Sequence, residues 1–178
     1  MDHKRASEVA LSIESKLDIA NGGGWESLGW ENDRDWQTDL LSRLTFLVGD
    51  APIDYASGYV AHSPTADGEQ LGGDVVVFTS HSIVRAKFNV ERHQTGTRYV
   101  EGTFTAIPRS HLVAVGSLSV SPIDGKGTSK WPRRAKATVS FRDGTSVTLP
   151  LRSGSDDPDD RDLAGFMASA FRNPRCDG

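Results

Sequence analysis

Apolar residues recur along this chain with two different periods. Near the start, Ala6, Ala10, Ile13, Leu17 and Ala20 are spaced by four and three. That spacing predicts a helix over about residues 4–20 carrying one narrow stripe, with Asn21-Gly22 as its stop. Gly22-Gly23-Gly24 predicts a joint, after which Asp33 is placed to cap a second helix whose Trp36, Leu40, Leu41, Leu44 and Leu47 share one face. That face predicts docking on a core. A glycine cluster cradles phosphate at a strand-to-helix turn; this one follows a helix, so it reads as a linker.

From about Gly58 the period changes to alternation, and each segment is bounded by Gly, Pro, Asp or Ser. Seven strands are expected: a weak one near Gly58–Ser63, then Asp74–Thr79, Ser82–Val90, Thr97–Ile107, Leu112–Val120 and a closing pair. In the third, Val84, Ala86 and Phe88 face one side while Arg85 and Lys87 face the other. In the closing pair, Ala137, Val139 and Phe141 alternate with Lys136, Thr138, Ser140 and Arg142, Asp143-Gly144 supplies a two-residue type I′ turn, and Val147, Leu149 and Leu151 alternate again.

The last helix is marked at both ends. Asp157 is a candidate N-cap with Pro158 behind it, Asp159, Asp160 and Asp162 complement the positive end of the dipole, and Asn173-Pro174 is the stop. Leu163, Phe166, Met167, Ala170 and Phe171 fall on a single stripe that must be buried.

The longest wholly apolar runs, Val75–Phe78 and Leu112–Val115, are far short of the roughly 20 residues that cross a bilayer, and no signal-type stretch follows Met1. The single cysteine, Cys176, has no internal partner, which fits a reducing compartment, and a cytoplasmic location is expected. A net charge of −4 hides a division. Residues 1–70 hold 5 Lys+Arg against 13 Asp+Glu, residues 71–152 hold 12 against 5, and residues 153–178 hold 3 against 6. The basic middle is either an anion-facing surface or is neutralised by packing against the acidic start.

The order of seven strands and a terminal helix resembles the pleckstrin-homology-like superfold, and more closely its bacterial PH-type domains. Three stretches carry the likeness: Val75-Val76-Val77-Phe78-Thr79-Ser80-His81-Ser82-Ile83-Val84, Ile107-Pro108-Arg109-Ser110-His111-Leu112-Val113-Ala114-Val115, and Val139-Ser140-Phe141-Arg142-Asp143-Gly144. The resemblance implies an α+β fold: a partly open β-barrel of about seven antiparallel strands over residues 58–174, capped by the C-terminal helix. Residues 1–57 form a helical extension outside the pattern. It also implies a binding or scaffolding module, because the superfold is mostly non-catalytic, and it names no ligand. Lipid-binding members place their phosphoinositide residues mainly in the first strand pair, where this chain offers Ser80, His81 and Ser82 beside Arg85 and Lys87.

For an anion or membrane surface the candidate residues are Arg85, Lys87, Lys126, Lys130, Trp131, Arg133, Arg134 and Lys136, most of them in one loop where cations accompany an aromatic ring. Each engaged cation adds roughly 1 kcal/mol at an anionic surface, so this loop supports weak, salt-sensitive attachment. The plainer reading is a solvated loop that keeps a sheet edge soluble. Interleaved Arg85, Lys87, Arg98, Tyr99, Lys136 and Arg142 suit single-stranded nucleic acid, but an acidic chain with pI near 5.7 is a poor partner for a polyanion. The histidines His3, His62, His81, His93 and His111 lack ligand spacing, so no metal or cofactor is expected. Ser110-His111 lacks a nucleophile elbow, and Asp156-Asp157 and Asp159-Asp160 read as capping. The expected role is binding: a protein-interaction or self-association module using a sheet edge or the N-terminal helices, with a peripheral anionic-lipid binder and a small enzyme with an unrecognised site as alternatives.

Overall fold

A computed structural model of the chain describes residues 1–20, 35–65, 68–92, 96, 98–120, 135–151 and 160–172. In chain order they form α1 (His3–Ala20), α2 (Asp35–Val48), β1 (Ile53–Thr65), β2 (Gly68–Thr79), β3 (Ser82–Arg92), β4 (Arg98–Pro108), β5 (Leu112–Val120), β6 (Ala135–Phe141), β7 (Ser146–Leu149) and α3 (Asp160–Arg172). A single 3-10 turn, Arg109–His111, joins β4 to β5. All pairings are antiparallel, in a first sheet ordered β1-β2-β3-β4 and a second ordered β5-β6-β7. The architecture is α+β.

The unbroken run Val75-Val76-Val77-Phe78 in β2 shows how the layers stack. A strand that buries both faces loses its polar alternation, and here Val75 and Val77 join the core under α1 and α2 while Val76 and Phe78 join the core between the two sheets. The first core also holds Val9, Ile13 and Leu17 of α1, Trp36, Leu40 and Leu44 of α2, and Val84, Ala86 and Phe88 of β3. The second holds Tyr55, Ile83, Val139, Phe141, Leu149, Leu163 and Phe166. The first sheet is thus sandwiched between the N-terminal helices and the second sheet with α3.

Local chemistry explains several contacts. Arg5 at the start of α1 lies 3.9 Å from the Asp50 carboxylate beyond the end of α2, so the two helices run antiparallel. A Cβ on Gly58 would approach Leu17 Cδ2 to 3.1 Å and Val75 Cγ2 to 2.9 Å, so the glycine lets α1 lie directly on β1. Trp36 stacks on Phe88 with ring centroids 6.3 Å apart. The α1 stripe is deepened by Val9, buried where Ala6 and Ala10 are only half-buried.

Two sequence expectations change. The strands β1 and β2 begin at Ile53 and Gly68, earlier than Gly58 and Asp74, because they pair from Ile53↔Thr79 to Thr65↔Gly68, with a register shift between Ile53 and Tyr55, through a stretch whose glycines obscure alternation. The β6–β7 turn is not type I′, which needs positive φ at both central residues. Only Gly144 has positive φ, at 83°, and Phe141 N–H donates to the Thr145 carbonyl at 2.9 Å, so the loop spans three residues ending on glycine. Asp143 Oδ1 accepts from Thr145 N–H at 2.9 Å and from Thr145 Oγ1 at 2.7 Å, which favours that conformation. Ser110 and His111 lie in the 3-10 turn between β4 and β5, both exposed.

Among the described residues no ladder joins the two sheets, so they do not close into a barrel. At one corner the chain itself turns, with Arg109 N–H donating to the His81 carbonyl at 2.8 Å. At the other, Leu151 N–H donates to Ser57 Oγ at 3.0 Å. The Asp33 cap, the Gly22–Gly24 joint, Asp157, Pro158 and the Asn173-Pro174 stop lie outside the described residues.

Candidate functional site

The cations singled out in the sequence do not all share one surface. Arg85 and Lys87 sit on β3 facing the second sheet, opposite Val84, Ala86 and Phe88. The Arg85 guanidinium lies 5.4 Å from the Phe141 ring centroid, near enough to Asp143 for its charge to help hold that carboxyl below the usual carboxylate range. The main cause of that lowering is the pair of Thr145 hydrogen bonds. Lys87 lies in a cross-strand row Tyr59↔Asp74↔Lys87↔Thr103, with Asp74 as its neighbour in the pairing register. Lys136 is exposed and alternates with the inward Ala135 and Ala137, so it faces away from Arg85 on the outer side of the second sheet. Lys126, Lys130, Trp131, Arg133 and Arg134 lie outside the described residues.

The row containing Lys87 is the polar half of the first sheet's inner face. Tyr59 Oη donates to Asp74 Oδ2 at 2.7 Å, and the carboxylate that accepts this bond raises the tyrosine pKa. Further out, Gln70 Nε2 donates to Glu91 Oε1 at 2.9 Å. These are satisfied cross-strand contacts of a wetted surface.

Arg109 is a cation that sequence reasoning passed over, and it closes the apolar end of the same face. Its Nη1 donates to the Thr79 carbonyl at 2.6 Å and to Asp54 Oδ2 at 3.2 Å. Its guanidinium lies 5.6 Å from the Phe78 ring centroid and 5.1 Å from that of Phe166. Burial pushes its pKa down, with Asp54 opposing. Two elements of the first sheet and α3 are joined by this one side chain, which makes its role structural.

Among the described residues, the outer edge of β4 has no strand partner. Asn89↔Glu101, Lys87↔Thr103, Arg85↔Thr105 and Ile83↔Ile107 continue the pairing of Arg109 N–H with the His81 carbonyl, so these β4 residues turn their backbone groups toward β3. Val100, Gly102, Phe104 and Ala106 turn theirs outward. Val100 N–H is taken by Asp39 Oδ2 of α2 at 2.8 Å, and Arg43 braces that carboxylate at 3.0 Å and 3.1 Å while lying 5.3 Å over the Phe104 ring. Beyond it, Gly102 and Ala106 are exposed, and no strand among the described residues pairs there. Gly102-Thr103-Phe104-Thr105-Ala106-Ile107 carries no charge to blunt the edge. The signals were present in the sequence as that uncharged run and as the Asp39/Arg43 pair spaced by four.

Among the described residues, no cluster of His, Cys, Asp and Glu has the grouping of a metal site. No family model matches the chain, and no curated protein or solved structure matches it significantly.

Proposed function

We propose that this protein is a PH-like binding module that receives an extended segment of another polypeptide as a fifth strand on β4. Support for the PH-like reading comes from strand order: a four-stranded and a three-stranded antiparallel meander, followed by a helix whose Phe166 enters the core between them. The observation carrying the binding reading is the β4 edge, where outward backbone groups at Gly102, Phe104 and Ala106 are bordered by an uncharged sequence. Main-chain hydrogen bonds supply affinity in strand addition, and the neighbouring side chains supply selectivity. Thr103 and Thr105 on one face and Phe104 under Arg43 on the other would read the incoming strand.

A fluorescent peptide spanning residues 98–108 serves as the strand probe. The full chain is expected to bind it with little dependence on salt, and Ala106→Pro, which removes one outward N–H, is expected to weaken binding by about tenfold. Peptide binding that is equal in both proteins refutes the β4 site. Salt-sensitive sedimentation with anionic vesicles, without peptide binding, transfers the role to the basic loop.

A further inference from the structure

The open part of the β4 edge has a symmetry of its own. On one side it is bounded by Val100, whose N–H is committed to Asp39 at 2.8 Å, and on the other by Pro108, which has no N–H. The outward residues between those limits are Gly102, Phe104 and Ala106, and Phe104 is their centre. An antiparallel partner pairs outward residues with outward residues. We propose that a second copy of this chain fills the edge in an antiparallel register centred on Phe104. This rests on the strand-addition reading above and names its partner.

In that register Phe104 opposes Phe104 of the second copy, and Gly102 opposes Ala106 on both sides of the axis. All three outward residues of each chain are then used. Shifting the centre to Thr103 or Thr105 leaves Ala106 or Gly102 facing a committed or donorless position. Thr103 falls opposite Thr105 of the second copy in the closer, non-hydrogen-bonded pair, a favourable cross-strand combination. The two sheets become one continuous sheet across a two-fold axis, the isologous arrangement of most homodimers.

An independent observation points to the same side. Phe46 is 83% exposed, whereas the other large apolar residues of α2 are buried or half-buried. Asp39, Arg43 and Phe46 are spaced by four and three and so share one flank of α2, and the first two of them already touch β4. Pairing about Phe104 brings that flank of each copy toward the other and covers Phe46.

The test is sedimentation velocity of the full chain over a range of concentrations, with a disulfide readout of register in a Cys176→Ser background. The expected result is a dimer that dissociates on dilution. Ala106→Pro and Phe46→Asp are each expected to weaken it about tenfold or more, with an unchanged circular dichroism spectrum. Thr103→Cys combined with Thr105→Cys should give a covalent dimer on oxidation. Each single cysteine should not, because the like positions are diagonal, about 7–8 Å apart, beyond the roughly 7 Å limit for a bridge. The exposed cysteine positions keep the test decisive if Ala106→Pro fails to fold. A chain that is monomeric at every concentration, or a single-cysteine variant that cross-links, overturns the proposal. A monomer that still binds the residue 98–108 peptide overturns self-pairing alone and leaves β4 as the site for another protein; a monomer that binds no peptide overturns both.

Discussion

Replacing Phe166 by alanine is the most direct check on how α3 is held. Phe166 is 2% exposed. Its ring lies 4.6 Å from that of Phe78 and 5.2 Å from that of Tyr55, with the Arg109 guanidinium 5.1 Å from its centre. Burying a phenylalanine side chain contributes about 1.5–3 kcal/mol by transfer alone. Each well-arranged aromatic pair adds about 0.5–1.5 kcal/mol, and the cation over the ring about 0.5–1 kcal/mol. These terms overlap, so their full sum overstates the loss. The vacated volume, however, is walled by strands of two sheets that cannot both move inward, so little of the cavity collapses. Phe166→Ala should therefore destabilise by about 3–5 kcal/mol, which lowers the thermal midpoint by about 10 °C in a chain of this size. Phe166→Leu, which keeps most of the volume, should lose less than half as much. Thermal unfolding followed by tryptophan fluorescence measures both. A midpoint within a degree or two of the parent for Phe166→Ala would place α3 outside the core and refute the packing argument.

Two further outcomes follow from side chains described above. Arg109→Met keeps apolar contact with Phe78 and Phe166 but leaves the carbonyl of buried Thr79 without this donor and removes the ion pair with exposed Asp54, so urea unfolding should show a loss of about 1–3 kcal/mol; equal stability would mean that the cation's burial cancels its bonds. Tyr59 has a raised pKa because it donates to Asp74, so its stabilising bond is fully present below the ordinary tyrosine pKa and is lost as pH rises through the raised folded value. Tyr59→Phe should flatten that alkaline decline in a pH series of thermal midpoints, and an unchanged decline would assign it to another group.

Much of this architecture was legible where a residue's environment is set by its own neighbours. The β3 alternation of Val84, Ala86 and Phe88 against Arg85 and Lys87 survives intact, because a strand flanked on both sides by partners leaves its face assignment to period alone. The α2 stripe survives for the same reason, with Val48 added and Leu41 and Leu47 only partly buried. What period cannot convey is a second layer. The run Val75–Phe78 signals burial on both faces without saying that helices cover one and a sheet the other. Nor does a sequence reveal that Asp39 crosses to Val100, 61 residues away, because that contact exists only once α2 has docked along β4. The candidate cations show the converse: Arg85 and Lys136 look alike in a count of charges, yet strand parity sends them to different sides of the molecule.

The layering also constrains where a partner can act. Over its apolar half, the first sheet has both faces occupied, by α1 and α2 on one side and by the second sheet with α3 on the other. Over its polar half the side chains bond one another, as Tyr59 does with Asp74 and Gln70 with Glu91. What remains is backbone hydrogen-bonding capacity at the edges. The second sheet reaches β1 at one corner through Leu151 N–H and Ser57 Oγ, and α2 touches β4 at Val100 and Phe104; among the described residues no strand pairs with the outer side of β4 between Gly102 and Pro108, a run that carries no charge. Asp39 and Arg43 therefore serve two purposes: they dock α2, and by occupying Val100 they set where an added strand must begin. Asp39→Ala should free the Val100 N–H and allow registers displaced from Phe104. Under oxidation the Thr103→Cys single variant should then begin to cross-link in the Asp39→Ala background, and its continued failure to do so would show that something other than the Asp39 bond fixes the register.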